Sequence, residues 1–261
     1  MTTAPAITMG RDITLSAPVN LRHLSGIPII GGVLHPGLAI RADDLSTCTE
    51  EYAATLVADG LTDVIDLRSS TEVAHTGRGP LAEHSIAYHH LPLLTNINRS
   101  GGTAGPVPTS RAEFGDMYAS MMEKAAAHIV TALNIIAFAP GTTAFHCAAG
   151  ADRTGVLAAS LLLALGADDD AIIADYCVTG TNIDAVHTRM NPVMGTLMAQ
   201  MGFDLDEEAF RQDDTPWDRP MRHTLALLRE RHGDALAPLR AAGLTDVTVA
   251  RLRRRALGGQ P

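Results

Sequence analysis

Cysteine is scarce in this chain: three residues in 261. So few, and an odd number, cannot brace a disulfide scaffold, and they point to a reducing compartment in which Cys147 is a free thiol. Lysine is scarcer still; Lys124 stands alone, and nearly all positive charge is arginine. No apolar run is long enough for a bilayer: the longest, VLAASLLLALGA at 156–167, is well short of the ~20 residues a spanning helix needs. Basic excess is also missing, since the net charge of −9 argues against a nucleic-acid partner. Residues 1–20 hold no charged stretch followed by an apolar one, so no export signal is read and a cytoplasmic location is expected. What remains, 46% hydrophobic and 19% charged residues, is ordinary for a globular protein able to bury a substantial core.

The patterning predicts strands alternating with helices, hence an α/β fold: a central, mainly parallel sheet flanked by helices, with a helical C-terminal part. Residues 1–20 read as a loose arm and 21–261 as a single domain. GIPIIGGVLHPGLAIRA at 26–42 suggests a hairpin, punctuated by Gly-Gly and Pro-Gly. TDVIDL at 62–67, IAYHHLP at 86–92 and TTAFHC at 142–147 read as strands. Between the last two, residues 95–110 are rich in Gly, Ser, Thr, Asn and Pro and read as a mobile loop or lid, about 95–112. Helical spacing then runs from Arg111 to Ala139, as one helix or two with a break. After the final strand come a buried helix at 156–166 and helices at 168–178, 180–201 and 217–233, with a helical tail to about 255.

One stretch carries chemistry: His146-Cys147-Ala148-Ala149-Gly150-Ala151-Asp152-Arg153-Thr154-Gly155 joins the last strand to the buried helix. A loop there can turn successive backbone N–H groups inward as an anion nest. Gly150 permits a backbone conformation closed to bulkier residues. The following helix adds unpaired N–H donors and the positive end of its dipole. Arg153 brings a planar fork matched to two phosphate oxygens. An unperturbed thiol is only about 3% ionised at pH 7, and a helix N-terminus beside a guanidinium is the setting that raises that fraction. The surroundings that bind phosphate therefore also make a nucleophile.

HC-x5-RTG in strand–loop–helix context resembles the cysteine-dependent protein tyrosine phosphatase superfamily. Asn20-Leu21-Arg22, LAIRADDLS at 38–46, TDVIDLRSSTEV at 62–73 and IIADYCVT at 172–179 narrow the resemblance to the atypical bacterial tyrosine and dual-specificity phosphatases of the mycobacterial PtpB type. The resemblance implies that Cys147 attacks phosphorus and forms a phosphocysteine. It implies that Arg153 and the N–H groups of Ala148, Ala149, Gly150, Ala151, Asp152 and Arg153 hold the phosphoryl oxygens, and that Thr154 donates a hydrogen bond to the sulfur. His146 would orient the loop rather than move protons. Arg22, Arg41 and Arg68 are candidates for substrate binding; Tyr118 shares that candidacy, with core packing the favoured reading. No cofactor and no metal are implied.

A general acid must reach the leaving oxygen. Asp152 ranks first, because relatives use that position, although Arg153 beside it should lower its pKa. Asp66 follows, at the end of a predicted strand, and Asp116 is third. Relatives with phosphoinositide activity carry Lys where this chain has Ala151, so lipid phosphatase activity is not expected.

Other features have plainer readings. Cys48 and Cys177 are expected to be buried residues, and His84, His89 and His90 lack the spacing of a metal site. Asp168-Asp169-Asp170 reads as a helix start. Met190, Met194, Met198 and Met201 fall at helical spacing and read as core or lid packing. Arg251, Arg253, Arg254 and Arg255 read as a solvated tail. The partner is a phosphorylated substrate, phosphotyrosine protein by family default; neither nucleic acid nor membrane is expected. Two alternatives remain: a phosphatase of a sugar or nucleoside phosphate, and a phosphate-binding module without turnover.

Overall fold

Every residue of the strand Thr142–His146 is buried, the mark of a central strand with helices on both faces. In the computed structural model, which describes residues 13–94, 110–195, 197 and 213–259, the strands are β1 (Arg22–His23), β2 (Pro28–Ile29), β3 (Gly32–Val33), β4 (Ala39–Ala42), β5 (Leu61–Asp66), β6 (Ala87–His90) and β7 (Thr142–His146). The main sheet has the order β1-β4-β7-β5-β6, and only β1 runs antiparallel to its neighbour. The helices are α1 (Glu50–Ala58), α2 (Ser70–Thr76), α3 (Phe114–Lys124), α4 (Ala126–Phe138), α5 (Asp152–Leu165), α6 (Asp169–Met190), α7 (Arg219–His232), α8 (Ala237–Ala241) and α9 (Asp246–Ala256).

Strand alternation divides the core. Ile40, Ala42, Val64 and Ala144 point to one face, where they pack with Ala53 and Leu56 of α1. Ala39, Ile65 and Phe145 point to the other and join α3, α4 and α5 in the larger cluster. Helix α5 is the centre of that cluster. Its Val156, Leu157, Leu161, Leu162 and Leu165 are fully buried, and at roughly 2 kcal/mol each they contribute on the order of 10 kcal/mol of transfer free energy. Gly166 in a left-handed conformation ends the helix. The helix therefore has one fixed end, and its N-terminus is presented to the loop after β7.

Several expectations change. The hairpin of 26–42 shrinks to β2 and β3, because 39–42 pairs in parallel with β7. The stretch from 111 to 139 breaks at Ala125 into α3 and α4, which meet at 75°. Helix α6 runs unbroken through Gly180, where any Cβ would press on the Trp217 ring at 2.7 Å; glycine there serves packing, not a break. Asp168 caps α6 through the Ala171 N–H, 2.8 Å away. No single helix among the described residues is long and apolar enough to cross a membrane. The expected lid at 95–112 lies outside the described residues except for 110–112, and so do Met198, Met201 and the first twelve residues of the arm.

The arginine tail is not solvated. Arg251 donates to the Ala137 carbonyl and lies over the Phe138 ring. Arg253 donates to the Ala164 carbonyl. Arg255 binds the carbonyls of Ile136 and Gly141. The carbonyls of residues 136, 137 and 164 lie in the last turns of α4 and α5, where a helix lacks internal donors and its dipole favours cations. Arg254 alone of the four is exposed.

Candidate active site

Cys147 is the first residue past β7, at the carboxyl end of the parallel strands. The loop that follows is held from outside by its carbonyls. The Ala148 carbonyl accepts from the Asp44 N–H at 3.0 Å. Asn20 Nδ2 donates to the carbonyls of Ala149 and Gly150 at 3.2 and 3.3 Å. Arg41 Nη2 donates to the Gly150 carbonyl at 3.0 Å. A peptide plane carries its N–H opposite its C=O, so three carbonyls bound outward turn the N–H groups of Ala149, Gly150 and Ala151 toward the inner side. Gly150 sits at φ +70°, and a Cβ there would come within 2.7 Å of the Ala42 carbonyl and the Asp43 nitrogen. Only glycine fits.

The Cys147 sulfur is buried at the bottom of this loop, against the core on one side. The Thr154 hydroxyl donates to it at 3.2 Å. At the other end stands Arg153, 7% exposed. Glu72 of α2 takes it in a two-bond grip, Nη1 to Oε2 at 2.6 Å and Nη2 to Oε1 at 2.9 Å. A guanidinium has five N–H groups; two are committed to Glu72 and three remain for an anion. Burial disfavours both charges, but each partner outweighs it: the Arg153 guanidinium is held above its usual range and the Glu72 carboxyl below its own. Glu72 is placed by a capping box with Ser69 at the start of α2.

The three acid candidates separate cleanly. Asp152 opens α5, and its Oδ1 accepts a hydrogen bond from the Tyr118 hydroxyl. Burial raises its pKa, and this exceeds the opposing effects of Tyr118 and Arg153. The expected lowering by Arg153 is thus outweighed. Asp66 is fully buried. Burial works against its charge, yet His146 and the Arg68 guanidinium, which binds both its oxygens, hold it well below the usual range. Tyr88 also donates to it, at 2.8 Å. This pairing favours the ionised carboxylate over a proton donor. Asp116 lies on the surface, 3.4 Å from His223 and 66% exposed.

His146 is buried, and burial pushes its imidazole down in pKa despite Asp66 and Asp44 nearby. Its Nδ1 accepts from the Leu45 N–H at 3.4 Å while Nε2 faces Asp66 at 3.7 Å. Held at Nδ1, the buried ring braces the strand end.

The arginines expected to bind substrate have other work. Arg41 is fully buried and bound to Asp175 and the Gly150 carbonyl. Arg68, equally buried, binds Asp66, Asp44, Ser46, Thr76 and the Gly77 carbonyl. Arg22 pairs with Asp175 at 3.0 Å and with Asn20 Oδ1 at 2.8 Å. Arg41 holds the loop directly, Arg22 reaches it through Asn20, and Arg68 binds Asp66 and Asp44 behind it. Their burial corrects the substrate-binding expectation for Arg41 and Arg68, and Arg22 is committed to the same network.

Residue-by-residue reading missed Glu72, Asp43 and the loop-holding role of Asn20. Asp43 binds the N–H groups of Val19 and Asn20 and pairs with Arg189 at 2.7 Å. Only Glu72 left a local signal, the Ser69-x-x-Glu72 spacing of a capping box. Beside the loop, Ala148 packs with Met190 and Leu197, and a crevice there is lined by Asp43, Asp44, Thr47 and Val193 rather than by Cys147 or Arg153. The histidines diverge: His89 pairs with Asp63, and His90 Nε2 meets the Arg68 carbonyl. Cys48 is fully buried, and burial pushes its thiol up to about 11; Cys177 is partly buried in α6.

The chain is similar to known tyrosine phosphatases. The model of a tyrosine phosphatase family matches residues 13–258. The triple specificity protein phosphatase PtpB of Mycobacterium tuberculosis is 30% identical over 264 residues, covering 86% of this chain and 92% of that protein. A protein of Cupriavidus necator named as a tyrosine-protein phosphatase is 30% identical over 185 residues, 66% of this chain and 65% of its own length. The crystal structure of a cysteine-to-serine variant of P. aeruginosa TpbA in complex with pTyr overlaps with a TM-score of 0.30 at 15% identity, over 63% of this chain and 85% of that one, too little to carry an argument.

Proposed function

The chain belongs to the tyrosine phosphatase family, and from that premise we propose that it hydrolyses phosphotyrosine in proteins through a phosphocysteine intermediate. The observation that carries the proposal is the loop itself: Cys147 at the bottom, three carbonyls bound outward, and Arg153 gripped by Glu72 with donors to spare.

The chemistry follows from the placement. The Cys147 sulfur donates an electron pair to phosphorus as the bond to the leaving oxygen breaks. The loop N–H groups and Arg153 bind the non-bridging oxygens and stabilise charge that spreads over them in the transition state. Asp152, whose burial favours the protonated form, gives its proton to the departing phenolate oxygen. Water then attacks the phosphocysteine, Asp152 takes back a proton, and phosphate leaves. In that step the Thr154 hydroxyl, 3.2 Å from the sulfur, stabilises the departing thiolate.

Apart from the attacking water, every group in this scheme is a side chain or a backbone amide. Turnover of a phosphotyrosine peptide should therefore be unchanged by chelator, and should fall by about 10⁴-fold or more in Cys147→Ser. Retained turnover in the serine variant, or loss on chelation, contradicts the proposal. Ala151 offers no cation beside the loop, so inositides should be poor substrates in the same assay.

A further inference from the structure

Two buried phenols converge on Asp152, and the fold needs neither hydroxyl for packing. Tyr118 of α3 is 1% exposed and Tyr176 of α6 is 2% exposed; their ring centroids lie 5.9 Å apart and their hydroxyl oxygens 2.9 Å apart. Phenylalanine would fill the same space without two polar atoms that must be satisfied once buried. The ring of Tyr176 also dictates a residue of the loop motif. A Cβ on Gly155 would stand 3.1 Å from it, so the glycine after Arg153-Thr154 makes room for this phenol against the first turn of α5.

The bonds have a direction. The Tyr118 hydroxyl spends its one hydrogen on Asp152 Oδ1, which leaves Tyr176 to donate to the Tyr118 oxygen. Oδ1 is then an acceptor, and a proton carried by Asp152 resides on Oδ2. We propose that Tyr118, itself held by Tyr176, is a positioning residue for the reaction: it fixes which oxygen of Asp152 carries the transferable proton and sets the pH range over which that proton is available. The inference rests on the phosphatase reading above and goes beyond it.

The groups facing this pair are few. Arg153 stands beside Asp152 on α5, Tyr118 comes from α3, and Tyr176 and His187 come from α6, with Arg41 of β4 beyond Tyr176. Burial favours the protonated carboxyl, whereas the Tyr118 hydroxyl stabilises the ionised one. Removing that hydroxyl must therefore move the loss of the acid to higher pH.

The test compares wild type with Tyr118→Phe, Tyr176→Phe and Asp152→Asn on a phosphotyrosine peptide and on dinitrophenyl phosphate, whose leaving group departs without a proton. For Tyr118→Phe, kcat/KM on the peptide should fall about tenfold and its basic limb should move to higher pH. Turnover of dinitrophenyl phosphate should stay within about twofold, which also shows that the variant is folded. Tyr176→Phe leaves the Asp152 contact in place and should give the same pattern at roughly two- to threefold, and it carries the test if Tyr118→Phe does not fold. An unmoved basic limb, or equal losses on both substrates, would reduce the phenols to packing. Full peptide activity in Asp152→Asn would overturn the inference while leaving the phosphatase reading intact. A wild type inert toward both substrates would overturn that reading first.

Discussion

Asp66 with Arg68, behind the loop, and Asp152 with Arg153, in front of it, are nearly the same pair of residue types, yet they have opposite characters. Behind, Arg68 folds back onto Asp66 and binds both its oxygens, and the remaining donors go to Asp44, Ser46, Thr76 and the Gly77 carbonyl. Both Asp66 oxygens are bound and shut from water, and the guanidinium holds the carboxyl in its ionised form. In front, Arg153 gives its bidentate bond to Glu72 instead. Asp152 is left with a phenol as its hydrogen-bond partner, and burial tips it toward the protonated form. Where the guanidinium turns decides whether a neighbouring carboxyl is a strut or an acid.

The contrast can be broken from either side. The largest effect is expected behind the loop: Asp66→Asn removes one of the two counter-charges of buried Arg68 and should cost about 3–5 kcal/mol of stability. The pH dependence has a definite sign. The folded carboxyl is depressed, so its contribution is present above the unfolded carboxylate value near 4 and lost as pH falls. Acid melting curves of wild type should therefore drop more steeply than those of the variant, and parallel curves would mean that Asp66 is not held ionised.

Next in size is Glu72→Gln, which should lower kcat/KM on a phosphotyrosine peptide by about 10²-fold by freeing the Arg153 fork. Unchanged kinetics would show that the loop alone holds Arg153. The smallest effect sharpens the front: Asp152→Asn should make the protein slightly more stable at neutral pH. The folded carboxyl of Asp152 is raised, so its favourable contribution exists at low pH and is lost as pH rises through the folded value. Asparagine removes that cost and can still accept from Tyr118. A lower melting temperature for this variant at pH 7 would contradict the assignment.

The contiguous part of the site was readable from residue order. A strand, a glycine-bearing loop and a helix occupy 142–165, so Cys147, Arg153 and Thr154 arrive together whatever the rest of the chain does. The alternation of strands and helices gave the parallel sheet for the same local reason. What could not be read was the set of partners from distant elements. Asn20, Glu72, Tyr118 and Tyr176 reach the loop from β1's approach, α2, α3 and α6, and apart from the capping box of Glu72 nothing in their local spacing says that they meet there. Asp66 stayed open as an acid because its character depends on the Arg68 rotamer. The tail arginines were misjudged because the carbonyls they cap end α4 and α5, far away in sequence.

In the proposed reaction the sulfur of Cys147 becomes covalently phosphorylated within this loop. Rapid quenching in acid during turnover of a phosphotyrosine peptide, followed by peptide mass spectrometry, reads that bond directly. Phosphate on Cys147 of the wild type, and none in Cys147→Ser, is the predicted result. Turnover with the phosphate on another residue, or with no phosphoenzyme while the serine variant keeps its activity, would contradict it.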